Sequence, residues 1–592
     1  MRAHSAGALL GVALALSLDG ATSAVGAVDS AQIGASADRR EAEAWVDSTL
    51  ARLSLEQRVA QLVVAPIGGG YLAADHPSRV EWTTLAREHG IGAFVVYGGT
   101  PHDTAHLLND LQRVATVPIL MASDFEGGPG QQFAGATEVP GNMALSAIGS
   151  DAMAYEVGRV GAIEGRAIGI HVTYSPSVDI QTRPENPVLS TRSFGRDLDL
   201  LGRLAGAYIR GYQEHGMLAT AKHYPGRGDV DQIPVTEFLI NRKPAAQIER
   251  EDFQAFRHAI AANVAFVMSE HIVVPTLTNG SELPASVDRT LATEWLRNRL
   301  GFTGILTTDD LWYTRVVDRF GAEQAGVMAL QAGHDMLLKP ADPIKTIRAV
   351  ADAVRSGAIA AAQIDASARK VLLAKTRLGL HRQRLVDTAR IDAVVGAEAH
   401  RALVSRIAAE SLTMLVNDGV LPIAPGRPGR VAHVSIQRDP NLALPATADA
   451  ALRAAFDVRA SALIRPDSSQ AARDQAVSSV AAADTVVVSI FSQRATYRDN
   501  GSLGVADRLL VERLVKARPQ STVVMSYGNP YVVDGLAAPS AFVVGYGEGG
   551  FYGNQQAYVD AFIRLMQGEI APRGRLPVHV SERFPFGSGL HY

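Results

Sequence analysis

Between Gln61 and Leu338 the chain alternates short apolar runs with longer mixed stretches. The runs lie at Gln61–Ala65, Ala93–Tyr97, Pro118–Ala122, Ile170–Tyr174, Met217–Ala221, Val264–Met268, Gly304–Thr308 and Asp335–Leu338. They are too short for helices and rich in branched and aromatic residues, as strands buried on both faces are. Each gap between them is long enough for a helix, so the pattern predicts repeated strand–helix units with parallel strands. Eight such units in about 280 residues predict a closed (β/α)8 barrel, a TIM-like fold whose chemistry sits at the carboxyl ends of its strands.

Beyond Leu378 the pattern changes. Leu378-Gly379-Leu380 closes a helical period, the polar stretch His381–Ile391 reads as a linker, and Ala397–Leu412 is helix-like. Apolar runs at Val431–Ile436, Thr485–Phe491, Thr522–Ser526 and Ala541–Val544 then alternate with helix-length segments such as Val505–Ala517. The fold expected is therefore α/β throughout: a barrel over residues 40–380, a linker over 381–396, and a smaller α/β sandwich over 397–592. Two domains also suit a chain of 592 residues, which is too long for one ordinary core.

The first residues read differently from the rest. Arg2 and His4 precede the apolar stretch Ala6–Leu18, and Thr22-Ser23-Ala24 and Val25-Gly26-Ala27 offer small residues for cleavage. This predicts a signal peptide over residues 1–27 and an exported protein, periplasmic or extracellular. The apolar core is shorter than the roughly 20 residues a membrane-spanning helix needs, so no stable membrane insertion is expected.

Composition adds exclusions. The formal charge of −4 and pI near 6.5 give no reason to expect nucleic acid as a partner. The absence of cysteine rules out disulfides, thiolate nucleophiles and cysteine-ligated zinc. No HExxH pattern appears, and the glycine-rich stretches Gly68-Gly69-Gly70 and Gly547–Gly550 lack the phosphate-loop or dinucleotide pattern, so neither metal nor cofactor is expected.

Polar residues recur where the predicted barrel strands end. Ser123-Asp124-Phe125-Glu126-Gly127-Gly128 follows the third run, Lys222-His223-Tyr224-Pro225-Gly226 the fifth, Glu270-His271 the sixth and Asp309-Asp310 the seventh. Each has a plain structural alternative: the aspartate pair can cap a helix opening at Leu311-Trp312-Tyr313, and a lone histidine can be a satisfied core residue. Four such ends in register point to one site.

These motifs, with Thr191-Arg192-Ser193-Phe194-Gly195 and Gly301–Leu311, resemble glycoside hydrolase family 3 in content and order, and most nearly its bacterial β-N-acetylglucosaminidase branch. The resemblance continues through Glu410–Asp418 and Gly568–Pro577. It implies an exo-acting hydrolase that removes terminal β-linked sugars, N-acetylglucosamine foremost, from an oligosaccharide or glycoside with retention of configuration. Asp309 is then the nucleophile and Asp310 a supporting residue. Asp124 would accept hydrogen bonds from ring hydroxyls, and Arg192, Lys222 and His223 would donate to hydroxyl or acetamido oxygens. For Arg192 an ion pair with Asp179 or Asp197 is the structural alternative.

The leaving-group acid departs from the family pattern. The branch carries an Asp and a His two residues apart on the loop after the fifth strand; Asp231 matches the Asp, and Ile233 stands where the His is expected. Arg227 replaces a common family His, and Gln132 stands where the branch usually has a sugar-binding Arg. The acid is then a loop carboxylate, Asp231, Asp229 or Glu237, or a second-domain residue such as Glu548. A β-glucosidase of the same family and a catalytically weakened glycan-binding homologue are the alternative functions.

Overall fold

The computed structural model describes residues 30–184, 186, 189–230, 236–423, 429–438, 443–492, 503–547 and 556–591. The leader over 1–27, Asp231, Ile233 and Glu548 lie outside the described residues.

All eight apolar runs of the first part contain strands. They are β1 (Val63–Gly68), β2 (Ala93–Tyr97), β3 (Leu120–Ser123), β4 (Val172–Thr173), β5 (Leu218–Tyr224), β6 (Phe266–Ser269), β7 (Ile305–Thr308) and β8 (Leu337–Leu338). The sheet runs β8-β1-β2-β3-β4-β5-β6-β7 with every pairing parallel. It closes at β7 and β8 through a single bridge, Thr307 to Met336, and the Leu338 N–H donates to Thr308 Oγ1 at 3.0 Å. Asp335 pins this seam: its carboxylate accepts from the Leu306 N–H at 3.0 Å and from Ser367 Oγ at 2.8 Å, and pairs with Arg297 and Lys370.

The strands are apolar because both faces are covered. Phe94, Val95, Met121, Ala219, Val267, Leu306 and Leu337 are fully buried between the barrel interior and the outer helices. Those helices start where side-chain caps allow. Thr100 accepts from the Asp103 N–H ahead of Pro101–Val114, and Ser150 from the Met153 N–H ahead of Asp151–Ile168. Asp151–Ile168 packs on Leu198–Glu214 so closely that a Cβ at Gly158 or Gly211 would collide with the backbone of the facing helix.

The second domain holds a six-stranded mixed sheet. Its strands are β9 (Thr413–Asn417), β10 (Val431–Gln437), β11 (Val458–Ile464), β12 (Thr485–Phe491), β13 (Thr522–Ser526) and β14 (Ala541–Val544), in the order β9-β14-β13-β12-β10-β11. Only β9 is antiparallel to its neighbour. The four runs read from the sequence form the centre of this sheet; β9 and β11, which that reading missed, are its two edges. Between the domains, 381–396 contains one 3-10 turn, Thr388–Arg390, and one helical turn, Ile391–Val394. No helix of the described residues is long and apolar enough to cross a membrane.

Candidate active site

Polar side chains at and beyond the carboxyl ends of β3, β5, β6 and β7 join in one network of hydrogen bonds and ion pairs that includes Asp309. Asp309 follows β7 directly, and its N–H donates to the Ser269 carbonyl at 2.7 Å, which continues the β6–β7 ladder by one residue. Its Oδ1 accepts from the Asp310 N–H at 2.7 Å and its Oδ2 from Arg227 Nη2 at 3.1 Å. Burial alone would raise its pKa, but the Arg227 guanidinium, with a smaller contribution from the Asp310 N–H, holds the carboxyl well below the usual carboxylate range. Asp309 is therefore ionised.

Asp310 turns elsewhere. Its Oδ2 pairs with Lys339 Nζ at 2.6 Å and accepts from Trp312 Nε1 at 3.0 Å. Burial raises its pKa; the neighbouring Asp309 charge adds to the rise and Lys339 opposes it. Neither aspartate caps the following helix, which begins at Thr314 with Tyr313 in the cap position. The capping alternative is thereby removed.

Arg227 reaches Asp309 because the chain beyond β5 is clamped. Its N–H donates to Asp179 Oδ1 at 2.7 Å, Asn186 Nδ2 donates to the Arg227 carbonyl at 2.7 Å, and Thr182 Oγ1 donates to the Gly228 carbonyl at 2.8 Å. A Cβ at Gly228 would overlap the Ile180 carbonyl oxygen, so only glycine permits this approach. Arg227 also contacts Glu270 at the end of β6, whose other oxygen takes Arg315 Nη2 at 3.0 Å and the His271 N–H at 2.7 Å.

The predicted sugar-holding residues lie on the opposite flank. Lys222 Nζ sits between Asp124 Oδ1 at 3.0 Å and Glu126 Oε1 at 2.7 Å. Burial would lower the Lys222 pKa, yet the two carboxylates raise it, so it stays an ammonium. Arg192 grips Glu126 with two hydrogen bonds of 2.6 and 2.7 Å. It pairs with neither Asp179 nor Asp197: Asp197 caps Leu198–Glu214, and Asp179 holds His223. Burial raises the Glu126 pKa, and Arg192 and Lys222 more than reverse that.

His223 corrects one expectation. Its Nδ1 lies 2.6 Å from Asp179 Oδ2, so the proton belongs on Nδ1 and Nε2 carries a lone pair, 3.5 Å from Arg192 Nη2. Burial, then Arg227, push its pKa down to about 3 against the opposing pull of Asp179. A neutral ring in this tautomer accepts a hydrogen bond at the mouth where donation was expected.

A continuous chain of polar contacts thus runs from Asp124 through Lys222, Glu126, Arg192, His223, Asp179 and Arg227 to Asp309. It gathers Asp124, Arg192, Lys222, His223 and Asp309 and adds Glu126, Asp179 and Arg227; Glu270 and Arg315 join it at Arg227, and Lys339 pairs with Asp310. Glu126 and Glu270 lay inside quoted motifs, and their strand-end positions were the available signal. Asp179 figures in the sequence reading only as an alternative partner of Arg192, and Arg315 gives no signal, because neither follows an apolar run directly. Gln132 stays close, accepting from the Gly98 N–H at 3.3 Å, whereas Asp229 is half-buried and Glu237 exposed at the ends of the undescribed 231–235. Among the described residues no group of acidic or histidine side chains could hold a metal ion.

Such an arrangement, an ionised carboxylate facing a row of charged donors and acceptors, suits attack on a carbon that develops positive charge within a hydroxyl-rich ligand. Comparison with known proteins agrees. The Glycosyl hydrolase family 3 N terminal domain matches residues 54–374, and the Glycosyl hydrolase family 3 C-terminal domain matches residues 412–586. A Cellulomonas fimi protein named Beta-N-acetylglucosaminidase/beta-glucosidase is 30% identical over 404 residues, 67% of this chain and 70% of its own. Beta-hexosaminidase A of Pseudoalteromonas piscicida is 28% identical over 376 residues, 58% of this chain and 62% of its own. The structure of a glycoside hydrolase family 3 beta-N-acetylglucosaminidase from Paenibacillus sp. str. FPU-7 superposes with a TM-score of 0.78 at 28% identity, covering 89% of this chain and 99% of that one. A Listeria innocua beta-glucosidase at 20% identity shares the fold with a TM-score of 0.74, covering 91% of this chain and 76% of its own.

Proposed function

This chain belongs to glycosyl hydrolase family 3, and from that premise we propose that it removes terminal β-linked N-acetylglucosamine from glycans with retention of configuration. The observation that carries this reading is Asp309, a carboxylate at the end of β7 that Arg227 keeps ionised and able to attack an anomeric carbon. In the first step Asp309 forms a covalent ester with the sugar while the glycosidic oxygen leaves with a proton; in the second, water releases the sugar and restores the carboxylate. Asp124 and His223 Nε2 accept from sugar hydroxyls, and Lys222 and Arg192 donate.

The proton for the leaving oxygen comes from Asp231 in this reading, with Asp229 and Glu237 of the same loop and Glu548 of the second domain as the other candidates. Residues 1–27 direct export, to the periplasm or the medium. A second reading, β-glucosidase activity, has specific support in the double name of the Cellulomonas fimi relative. A third, glycan binding with weakened catalysis, is favoured by Ile233 at the place of the family's acid-assisting histidine.

One comparison separates the three: turnover of the nitrophenyl β-glycosides of N-acetylglucosamine and glucose beside N,N′-diacetylchitobiose and cellobiose. Preference for both N-acetylglucosamine compounds is expected. Loss of a general acid costs about 10²–10⁴-fold, so a weakened enzyme cleaves the nitrophenyl compound and leaves the disaccharide. Preference for the glucosides would remove the first reading.

A further inference from the structure

Arg227, Glu270 and Arg315 come from three successive barrel units, the loop after β5, the end of β6 and the helix Thr314–Phe320 after β7. Their side chains are 5%, 0% and 2% exposed, and they meet directly behind Asp309. Arg227 Nη2 contacts two carboxylates at once, Asp309 at 3.1 Å and Glu270, while Arg315 and the His271 N–H hold the far oxygen of Glu270. The Arg315 guanidinium in turn rests over the Tyr313 ring, 4.9 Å from its centroid. None of this geometry is needed to fix a strand, and three buried charges are costly unless each stays paired.

We propose that Arg227 is a positioning residue that governs the release of the sugar from Asp309, and that Glu270, anchored by Arg315, is the counterion that keeps Arg227 paired when Asp309 becomes an ester. The proposal rests on Asp309 as the nucleophile. When an Asp309 oxygen bonds to the anomeric carbon and the glycosidic bond breaks, the leaving oxygen takes the proton of the general acid and Asp309 loses its charge. Arg227 then has Glu270 alone. Without Glu270 it would be a buried cation with no counter-charge, a state that costs several kcal/mol. When water attacks the anomeric carbon, its proton passes to the general base and the bond to Asp309 breaks, so negative charge returns beside Arg227.

A guanidinium at this position makes Asp309 a weaker nucleophile and a better leaving group. The first step is therefore rate-limiting in the wild type, and the ester does not accumulate. Removing the charge reverses the order: the ester builds up, which lowers kcat and KM together while kcat/KM, which reports only the first step, is held or increased.

Rapid-quench turnover of nitrophenyl N-acetyl-β-glucosaminide tests this in the full chain, with mass analysis of the quenched protein. The wild type is expected to release nitrophenol without a burst. Arg227→Gln is expected to give a burst close to one equivalent, with kcat and KM both lowered at least ~10-fold and the sugar found on the Asp309 peptide. Arg227→Lys, which keeps a positive charge, restores burst-free kinetics. Glu270→Gln leaves Arg227 to Asp309 alone and lowers kcat/KM without a burst. A wild-type burst, or Arg227→Gln that loses kcat and kcat/KM equally with the sugar still on Asp309, overturns the proposal and leaves the nucleophile standing. A sugar found on another residue overturns the nucleophile and the proposal with it. Should Arg227→Gln not fold, the wild-type, Arg227→Lys and Glu270→Gln measurements decide the matter.

Discussion

Residues that look alike in the sequence carry different loads. Asp124 and Glu126 stand two apart and both bind Lys222, but the Asp124 side chain is 22% exposed and that of Glu126 is 3% exposed. Glu126 also takes two hydrogen bonds from the buried Arg192, so its removal takes a counter-charge away from two buried cations, Arg192 and Lys222. Glu126→Gln is expected to destabilise the protein by about 3–5 kcal/mol and to abolish turnover, whereas Asp124→Asn raises KM or lowers kcat with little change in stability. Denaturant unfolding beside steady-state kinetics checks both, and equal losses of stability would contradict the division. Asp309 and Asp310 divide likewise, one towards Arg227 and the other towards Lys339. The motif positions of Asp124, Lys222 and Asp309 were legible because the chemistry stands where an apolar run ends. The tautomer of His223 was not, because Asp179 is 44 residues away.

Among elements, legibility followed burial. The eight barrel strands and the four central strands of the second sheet are largely covered on both faces, and the chain writes them as short runs dominated by apolar residues. The edge strand β11 is covered less completely: Arg459, Ser461 and Leu463 alternate outward and are exposed, which dilutes the signal. At β9 the helix Glu398–Ser411 ends two residues before the strand begins, so one periodicity runs into another without punctuation. The helix Ala361–Arg377 holds one element-level oddity. Lys375 is fully buried beneath the barrel, with Gln61 Oε1 at 2.6 Å as its partner. Burial pushes its pKa down to about 7. An unfolded lysine keeps its proton to a pKa of about 10.4, so between these values the unfolded chain binds more protons and stability rises with pH. The penalty is complete below pH 7, where both states are protonated. Lys375→Met is expected to flatten the rise in unfolding free energy between pH 7 and 10; an unchanged slope would count against a lowered Lys375 pKa.

At the scale of the whole molecule the second domain braces the mouth of the first. Glu164, buried in the barrel helix Asp151–Ile168, accepts from the Thr137 N–H and Oγ1 at 2.8 and 2.6 Å and from the Gly396 N–H at 2.9 Å, and pairs with His400 Nδ1 at 2.6 Å. Thr137 belongs to the chain that leaves β3 with Asp124 and Glu126, so one carboxylate ties this segment to the linker and to the first helix of the second domain. Near the Arg192 motif, Gly195 packs against the Pro577 carbonyl with no room for a Cβ, and the Arg575 N–H donates to Ala147 at 3.0 Å. These cross-domain contacts were illegible in the sequence, since neither periodicity nor motif reports which loops meet. They join both halves around the site in which Asp309 is the proposed nucleophile. The most direct measurement is turnover by Asp309→Gly with and without azide. The expected result is a loss of roughly 10³-fold or more, partly restored by azide with the α-glycosyl azide as product, because azide attacks from the face that Asp309 vacated. Undiminished hydrolysis, or a β-glycosyl azide, would contradict Asp309 as the nucleophile of a retaining hydrolase.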